Sequence, residues 1–257
     1  MRDYLRQIPF FSTLSDEDLN VVAMRLHTKR FRKGASVFLA GEPGDAMYFI
    51  QSGLVKIISE EGERERFILY LGPGNFFGEG AALFGGNHSA SVYVVIDAEL
   101  LVLDHADLTE LIDQHPAMAL TIIRELHQRL RLSLRAPIQP KEITLIAVMG
   151  DATPLLAEHL AQATGEDVFL FDLGGMGNLP LNQASLAQGH VYLTHANGSL
   201  AWEDLPVRLS RLVKQYYWAL LWVAPEETAI TIKAIDQADL RVALGSAYTL
   251  QAQRLIP

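Results

Sequence analysis

The residues best suited to chemistry lie in one short segment, 76–92, which reads FFGEGAALFGGNHSASV. Gly78, Gly80 and the Ala81-Ala82 pair would let a ligand approach the backbone closely, because no bulky side chain stands in the way. A turn or helix start here would also direct several backbone N–H groups and a positive dipole at an anion such as a phosphate. The alternative is a glycine-rich turn between two strands, which the Gly-Gly-Asn sequence at 85–87 also allows.

This segment resembles the phosphate-binding cassette of cyclic nucleotide-binding domains. The resemblance implies that Glu79 accepts a hydrogen bond from the ribose hydroxyl of the ligand. It also implies an arginine nine residues after Glu79, which would neutralise the phosphate by a charge-assisted contact, and that position holds His88. The implied ligand is a cyclic mononucleotide, cAMP or cGMP, and no other cofactor is expected. The residues expected to contact it are Phe77, Gly78, Glu79, Gly80, Ala81, His88, Ser89 and Ala90.

His88 departs from the pattern of the family. An imidazole with a pKa of about 6.5 is mostly neutral near pH 7 and offers one donor, where a guanidinium offers a charged fork. We therefore expect the affinity for a cyclic mononucleotide to be reduced or to depend on pH. Either the bound phosphate protonates His88, or His88 is a bystander in a site that has lost its ligand, and the sequence leaves both alternatives open.

The surrounding sequence, from about Ile8 to Leu132, carries the same resemblance. Ser15 precedes a run of acidic residues and is placed to cap a helix. Short apolar runs then alternate with turn signals, which predicts a small antiparallel barrel or roll. The predicted strands cover 37–39, 47–50, 54–58, 67–71, 92–96 and 99–103, and glycine-containing turns are predicted at 41–45 and 51–53.

Two features of this half have plain structural interpretations. The basic run at 29–33 lies between a predicted helix and a strand, so we interpret it as a solvated connection and not as a nucleic-acid contact. Phe76 and Phe77 could stack on a base, but an aromatic pair beside a barrel is expected mainly in the core.

Helical spacing of apolar residues between Asp107 and Arg135, interrupted at Pro116, predicts two helices. The second, 117–135, corresponds to the long helix that closes over the ligand in the family and that often forms a dimer seam. Its apolar face makes coiled-coil-like pairing possible, so we expect a homodimer through this helix. The alternative is that the helix packs only on its own barrel. The face consists of Ile123, Leu126, Leu130 and Leu134, and the residues of its basic flank are Arg124, Arg129, Arg131 and Arg135.

Composition sets limits on the whole chain. The 257 residues exceed the usual size of one domain, so we expect three parts: a cyclic nucleotide-binding domain at 1–136, a proline-containing linker at 137–140 and a second domain at 141–257. The net charge is −9 and both halves are acidic, which argues against nucleic-acid binding. There is no cysteine, no membrane-spanning segment and no signal-peptide pattern, so we expect a cytoplasmic protein.

The second half alternates near-continuous apolar strands with helices, which predicts a doubly wound α/β domain with a parallel sheet. Strands are predicted at 142–149, 167–172, 190–194, 217–224 and 240–244, and helices at 154–164, 205–216 and 229–238. Asp172 and the glycines at 174–177 end one strand and form a weak candidate ligand site there. We expect the complete fold to be an α+β β-roll with flanking helices, followed by this α/β domain.

The order of these elements resembles the MinD and ParA group of P-loop ATPases. The loop at 150–154 has no Gly-Lys-Ser/Thr run, and Asp151 would repel a triphosphate, so the resemblance implies a degenerate relative without hydrolytic activity. A cyclic-nucleotide barrel joined to such a domain also resembles the regulatory region of the neuropathy-target-esterase-like patatin phospholipases. The Gly-x-Ser-x-Gly elbow of a lipase is absent.

We therefore expect no catalytic residues and no metal site. Ser199, His195 and Asp204 are close in sequence but are interpreted as turn formers, and the histidines at 159, 190 and 195 do not have a metal-ligand spacing. The function expected from the sequence is a non-catalytic sensor in which the long helix relays ligand binding to the α/β domain or to an effector protein. The alternatives are the regulatory fragment of a patatin-like lysophospholipase or esterase, and a dimeric scaffold whose roll is free of ligand.

Overall fold

The computed structural model describes residues 2–6, 8–61, 64–135, 142–175, 191–196, 200–213 and 216–245. The chain divides into two compact units, residues 1–140 and 141–257. The predicted linker at 137–140 lies outside the described residues.

The first unit is an antiparallel β-roll flanked by helices. Its central strands follow the order β1-β6-β3-β4, with β2 paired to β6 and β5 paired to β3. The helices are α1 (Arg2–Leu5), α2 (Asp16–Arg25), α3 (Glu79–Phe84), α4 (His105–Gln114) and α5 (Ala117–Arg135), with a 3-10 turn at Pro9–Phe11. The strands are β1 (His27–Phe31), β2 (Ser36–Phe38), β3 (Ala46–Glu61), β4 (Arg64–Leu71), β5 (Phe76–Phe77) and β6 (Ser91–Asp104). Ser15 caps α2 as predicted, because its hydroxyl accepts a hydrogen bond from the Asp18 N–H.

Two long strands replace four predicted short ones. β3 runs through residues 51–53, where the sequence predicted a turn, and that prediction was wrong. Gly53 has φ +90° and leaves no room for a side chain, since a Cβ there would lie 2.3 Å from the Asp97 carbonyl oxygen. The glycine bends the strand with register shifts but without ending its pairing to β6. β6 likewise continues through the predicted break at 97–98.

The described residues of the first unit form two separate apolar cores, and single strands contribute to both. Met47 and Phe49 pack with the helices, whereas Tyr48 and Ile50 pack inside the roll. This alternation is what the two-residue period of a strand produces when both of its faces are covered. Phe76 and Phe77 divide in the same way, Phe76 toward the helical core and Phe77 into the roll.

The described residues of the second unit form five strands in the order β11-β7-β10-β8-β9, and every described pairing among them is parallel. The strands are β7 (Thr144–Met149), β8 (Val168–Asp172), β9 (Val191–His195), β10 (Trp218–Val223) and β11 (Leu240–Ala243). The helices are α6 (Thr153–Thr164), α7 (Leu205–Leu212) and α8 (Ala229–Asp236), with a 3-10 turn at Trp202–Asp204.

Helices pack on both faces of this sheet. Ala157 and Ala161 of α6 join a core with Ile146 and Leu170, while Ile235 of α8 packs with Ala147 on the opposite face. Adjacent residues 146 and 147 of β7 therefore face different helices, which explains why the strand is apolar throughout. The likeness to MinD and ParA proteins, and to the esterase regulatory region, stays a prediction.

Candidate functional site

A cavity of about 360 Å³ opens in the first unit between the segment 77–92 and helix α5. This volume lies within the range of about 300–1,000 Å³ that is common for small-molecule sites. Its lining residues are Phe38, Ile57, Leu69, Phe77, Gly78, Glu79, Gly80, Ala81, Gly85, Asn87, His88, Ser89, Ala90, Val92, Leu126, Arg129 and Leu130. All eight residues predicted to contact a ligand are on this wall, although their role as ligand contacts stays a prediction.

Gly78 positions the start of α3 against the sheet. Its φ of +83° belongs to the left-handed region, and a Cβ at this position would lie 2.9 Å from the Ala46 carbonyl oxygen and 3.0 Å from Cδ2 of Tyr48. Only glycine meets both conditions without strain. The helix that follows begins at Glu79, and the first N–H groups of a helix have no acceptor within it. The start of α3 therefore carries N–H groups without a helical acceptor, and its residues Glu79, Gly80 and Ala81 line the cavity.

Gly80 differs from Gly78, because a Cβ built on it meets nothing within 4 Å and its φ is not in the left-handed region. Gly80 is exposed and is one of the residues that line the cavity. Ala81, the next residue, is buried, and Ser89 is exposed at the far end of the segment.

His88 is held firmly in the wall of the roll. Its side chain is only 7% exposed, and its ring stacks on Phe38 with centroids 3.5 Å apart and planes 6° apart. Backbone hydrogen bonds fix it to the neighbouring turn: the Gly41 N–H donates to the His88 carbonyl, and the His88 N–H donates to the Glu42 carbonyl, both at 2.8 Å.

The surroundings of His88 favour its neutral form. Burial lowers the pKa of His88 below its ordinary value, and the carboxylates of Glu42 and Asp45 offset this only in part. At pH 7 the neutral imidazole is therefore favoured over the charged form. The position that holds the phosphate-neutralising arginine in the resembled pattern has neither a fixed positive charge nor a freely moving side chain.

Helix α5 contributes three wall residues that the sequence analysis did not identify as site residues: Leu126, Arg129 and Leu130. Arg129 was assigned to a basic flank of the helix. In the structure its Nε donates to Glu125 at 3.0 Å and its Nη2 donates to the Phe76 carbonyl at 2.6 Å. The sequence did contain a signal that Arg129 belongs to the site. Arg129 lies between the apolar positions Leu126 and Leu130, and it follows Glu125 by four residues, which is the spacing of a helical ion pair.

The second unit contains a different polar pair. Asp172 is fully buried at the end of β8, and its carboxylate contacts Nδ1 of His195 at 2.9 Å, at the end of the adjacent strand β9. The sequence analysis grouped His195 with Ser199 and Asp204, whereas the structure pairs it with Asp172. Ser199 and Gly177 lie outside the described residues. Across the described ranges there is no group of three or more His, Asp or Glu side chains that could hold a metal.

The backbone of the loop after β7 requires a glycine at position 150. Gly150 has φ +134°, and a Cβ there would lie 2.5 Å from the Leu244 carbonyl oxygen. Thr153 closes the loop by donating its hydroxyl to the Gly150 carbonyl at 2.6 Å.

Among the described helices, none is both long enough and apolar enough to span a membrane.

Comparison with known proteins identifies one domain. Residues 28–115 match the family model of the cyclic nucleotide-binding domain. The cyclic AMP receptor protein of Thermus thermophilus is 35% identical over 124 residues, which is 48% of this chain and 57% of that protein. A cyclic nucleotide-gated potassium channel of Mesorhizobium japonicum is 33% identical over 112 residues, 44% of this chain and 30% of the channel. A cAMP-dependent protein kinase regulatory subunit of Colletotrichum orbiculare is 29% identical over 101 residues, 39% of this chain and 25% of the subunit.

Among solved structures, the Thermus thermophilus catabolite activator protein aligns with a TM-score of 0.45 at 30% identity, covering 62% of this chain and 73% of that one. The regulatory domain of Toxoplasma gondii PKA, crystallised with cAMP, aligns with a TM-score of 0.40 at 28% identity, covering 42% of each chain. The chain spans between 25% and 57% of the length of the three curated relatives named above. The match to the cyclic nucleotide-binding domain family covers residues 28–115 of the first unit, and the similar curated proteins are a cyclic AMP receptor protein, a kinase regulatory subunit and a potassium channel.

Proposed function

We propose that the cavity of the first unit binds a cyclic mononucleotide, cAMP or cGMP, and that α5 relays its occupancy to the α/β unit. The observation that carries this proposal is that the eight predicted contact residues line one open cavity, which α5 also borders. In this proposal the backbone donors at the start of α3 receive the phosphate, and Glu79 accepts a hydrogen bond from the ribose. The protein is proposed to be a cytoplasmic regulator without catalytic activity of its own.

The relay depends on α5 contacting two regions at once. Met118 and Ile122, near the start of the helix, are buried in the helical core, whereas Leu126 and Leu130 border the cavity. A ligand shifts the helix between two positions only if it binds one of them more tightly. Contacts from the ligand to the 126–130 segment supply such a difference.

The same helix supports the proposal of a homodimer. Leu120, Ile123, Leu126 and Leu130 are exposed side chains at helical spacing, and together they form an apolar stripe, here called the α5 stripe. Large exposed apolar patches are typical of interaction sites. Pairing of two α5 stripes would cover this surface and would place Leu126 and Leu130 between the partner helix and the cavity.

One observation favours a second candidate function. Because His88 is buried, stacked and neutral, the roll is also compatible with a dimeric scaffold that binds no ligand. In that case the cavity is a remnant and α5 serves association alone.

Titration calorimetry with cAMP and cGMP at pH 6 and pH 8 tests the two functions. If the bound phosphate protonates His88, affinity is higher at pH 6, and His88→Arg tightens binding at pH 8 and flattens the pH dependence. Glu79→Gln, which keeps the size of the side chain, should weaken binding at both pH values. Absence of heat at millimolar ligand at both pH values would leave the scaffold.

The relay has its own test, because all three tryptophans, Trp202, Trp218 and Trp222, belong to the second unit. Excitation at the red edge of indole absorption avoids the nucleotide, so a change in emission on adding cAMP reports an event in residues 141–257. Binding by calorimetry without any change in emission would separate ligand binding from the proposed relay.

A further inference from the structure

Arg129 supplies a fixed positive charge to the described wall of the cavity. Of the described residues that line it, only Glu79, His88 and Arg129 carry ionisable groups, and Arg129 is the only lysine or arginine. A guanidinium remains charged at every relevant pH, whereas burial keeps His88 neutral. An anion that enters this cavity therefore meets one fixed positive charge, and that charge is carried by helix α5.

The guanidinium is already held beside the cassette. The side chain is only 11% exposed. Its Nη2 donates to the carbonyl of Phe76, two residues before Gly78, and its carbon Cζ lies 4.9 Å from the centroid of the Phe76 ring. These contacts fix the plane of the group, so little further ordering is needed when a ligand arrives.

The Arg129 guanidinium also has N–H donors that could bind oxygen atoms of a ligand. Arginine has five N–H donors, and among the described residues only Glu125 and the Phe76 carbonyl accept from it, one bond each. Three donors remain for ligand oxygens. The planar fork suits two oxygens of one phosphate, the arrangement in which such contacts are strongest.

We propose that Arg129 of α5, and not a residue of the 78–90 segment, supplies the positive charge that pairs with the anionic group of the ligand. This inference rests on the proposed function and names the residue that reads the charge of the ligand. Glu125 neutralises Arg129 in the unliganded protein, and the phosphate competes with it for the guanidinium. Because both residues belong to α5, the helix responds to the charge of the ligand as well as to its shape.

The test compares each cyclic nucleotide with its uncharged nucleoside on the full chain at pH 8: cAMP with adenosine, and cGMP with guanosine. Arg129→Gln should weaken binding of the cyclic nucleotide about 10- to 100-fold, as expected for loss of a charged hydrogen-bonded contact. Its effect on the nucleoside should stay within about twofold, since the nucleoside has no anion to lose. Arg131→Gln removes the same charge from an exposed position of α5 and should change neither affinity.

Glu125→Gln provides a second variant that keeps Arg129 in place. It removes the competing carboxylate and should tighten cyclic nucleotide binding roughly twofold, the weight of an ion pair between residues four apart on a helix. Equal losses for nucleotide and nucleoside in Arg129→Gln would overturn the assignment, because they would mean that Arg129 acts through the fold. Unchanged cyclic nucleotide affinity in that variant would also overturn it while leaving the proposed function intact. Failure of the unmodified protein to bind any of the four compounds would overturn both.

Discussion

The imidazole of His88 lies flat on the phenyl ring of Phe38, and the far edge of the imidazole fills the space beside Gly44. A residue that the resemblance would use for direct phosphate contact is thus part of the packing of the roll. The charge state of His88 is therefore linked to the stability of the first unit as well as to the binding of any ligand.

The first prediction concerns pH. Burial lowers the pKa of His88 in the folded protein, so the unfolded chain takes up the proton first as the pH falls. Stability should therefore decrease as the pH falls below about 6.5 and level off below the folded-state pKa. Denaturation followed by circular dichroism from pH 8 to pH 5 would show this decrease relative to His88→Gln, which does not titrate. Parallel pH profiles for the two proteins would contradict it.

The second prediction tests the packing around the ring. A Cβ at Gly44 would lie 2.5 Å from Cε1 of His88 and 2.6 Å from the Cβ of Ala81. Gly44→Ala should therefore lower the free energy of unfolding by about 1–3 kcal/mol, the usual cost of overpacking. The double variant Gly44→Ala with His88→Ala should recover part of that loss in denaturant titrations. If Gly44→Ala is as stable as the unmodified protein, His88 moves freely and the packing argument fails.

The third prediction uses the open space at Gly80. Gly80→Ala should leave stability unchanged or raise it by up to about 1 kcal/mol, because the added methyl meets no atom within 4 Å and alanine favours a helix. If a cyclic nucleotide occupies the proposed site, the methyl intrudes on it and affinity should fall about tenfold or more, a cost of at least about 1.4 kcal/mol. Calorimetry on a variant shown by circular dichroism to be folded measures the effect. Full affinity in Gly80→Ala would place the ligand elsewhere.

The fourth prediction concerns Asp172 and His195. Because the Asp172 carboxylate is fully buried and accepts from His195, Asp172→Asn should destabilise the second unit by about 1–3 kcal/mol. Unfolding can be followed by tryptophan fluorescence, which reports this unit alone. A double-mutant cycle with His195→Asn should give a coupling energy of at least about 0.5 kcal/mol. Strictly additive effects would mean that the pair contributes nothing as a pair.

The fifth prediction addresses association through the α5 stripe. Ile123→Glu places a charge on the exposed stripe and should convert a dimer to a monomer in sedimentation equilibrium. Gln128→Glu adds the same charge at another exposed position of α5 and is the matched control. A monomeric unmodified protein, or a dimer that tolerates Ile123→Glu, would remove the stripe as the interface.

Local patterns of the sequence predicted much of the first unit but not the continuity of its strands. Apolar runs located both halves of β3, yet Gln51-Ser52-Gly53 has the composition of a turn. Whether such a segment ends a strand depends on the strand that pairs with it. Here β6, which is distant in sequence, stays paired to β3 on both sides of residues 51–53 through register shifts. The continuity of β3 therefore depends on long-range contacts, which the local sequence pattern does not contain.

The candidate site likewise has one part that the local sequence located and another part that it did not. The cassette residues form one contiguous segment, so its resemblance to a family pattern was enough to gather them. Arg129 lies 39 residues or more from every one of them, and only folding of α5 over the roll brings it to the cavity. The pairing of Asp172 with His195 likewise depends on two strands being adjacent and in register, which no local pattern encodes.

The alternation along β3 and β5 has a consequence for mutagenesis. Neighbouring residues such as Phe76 and Phe77 belong to different cores, one under the helices and one beside the cavity. Substitutions at Phe77 will disturb the roll beside the cavity, whereas substitutions at Phe76 will disturb the packing of the helices on the roll. In a mutational scan along these strands, residues that face the roll should therefore change affinity directly, whereas their neighbours that face the helices should change it only through a lower melting temperature. A binding assay read without a thermal melt would assign contacts to residues that never touch a ligand.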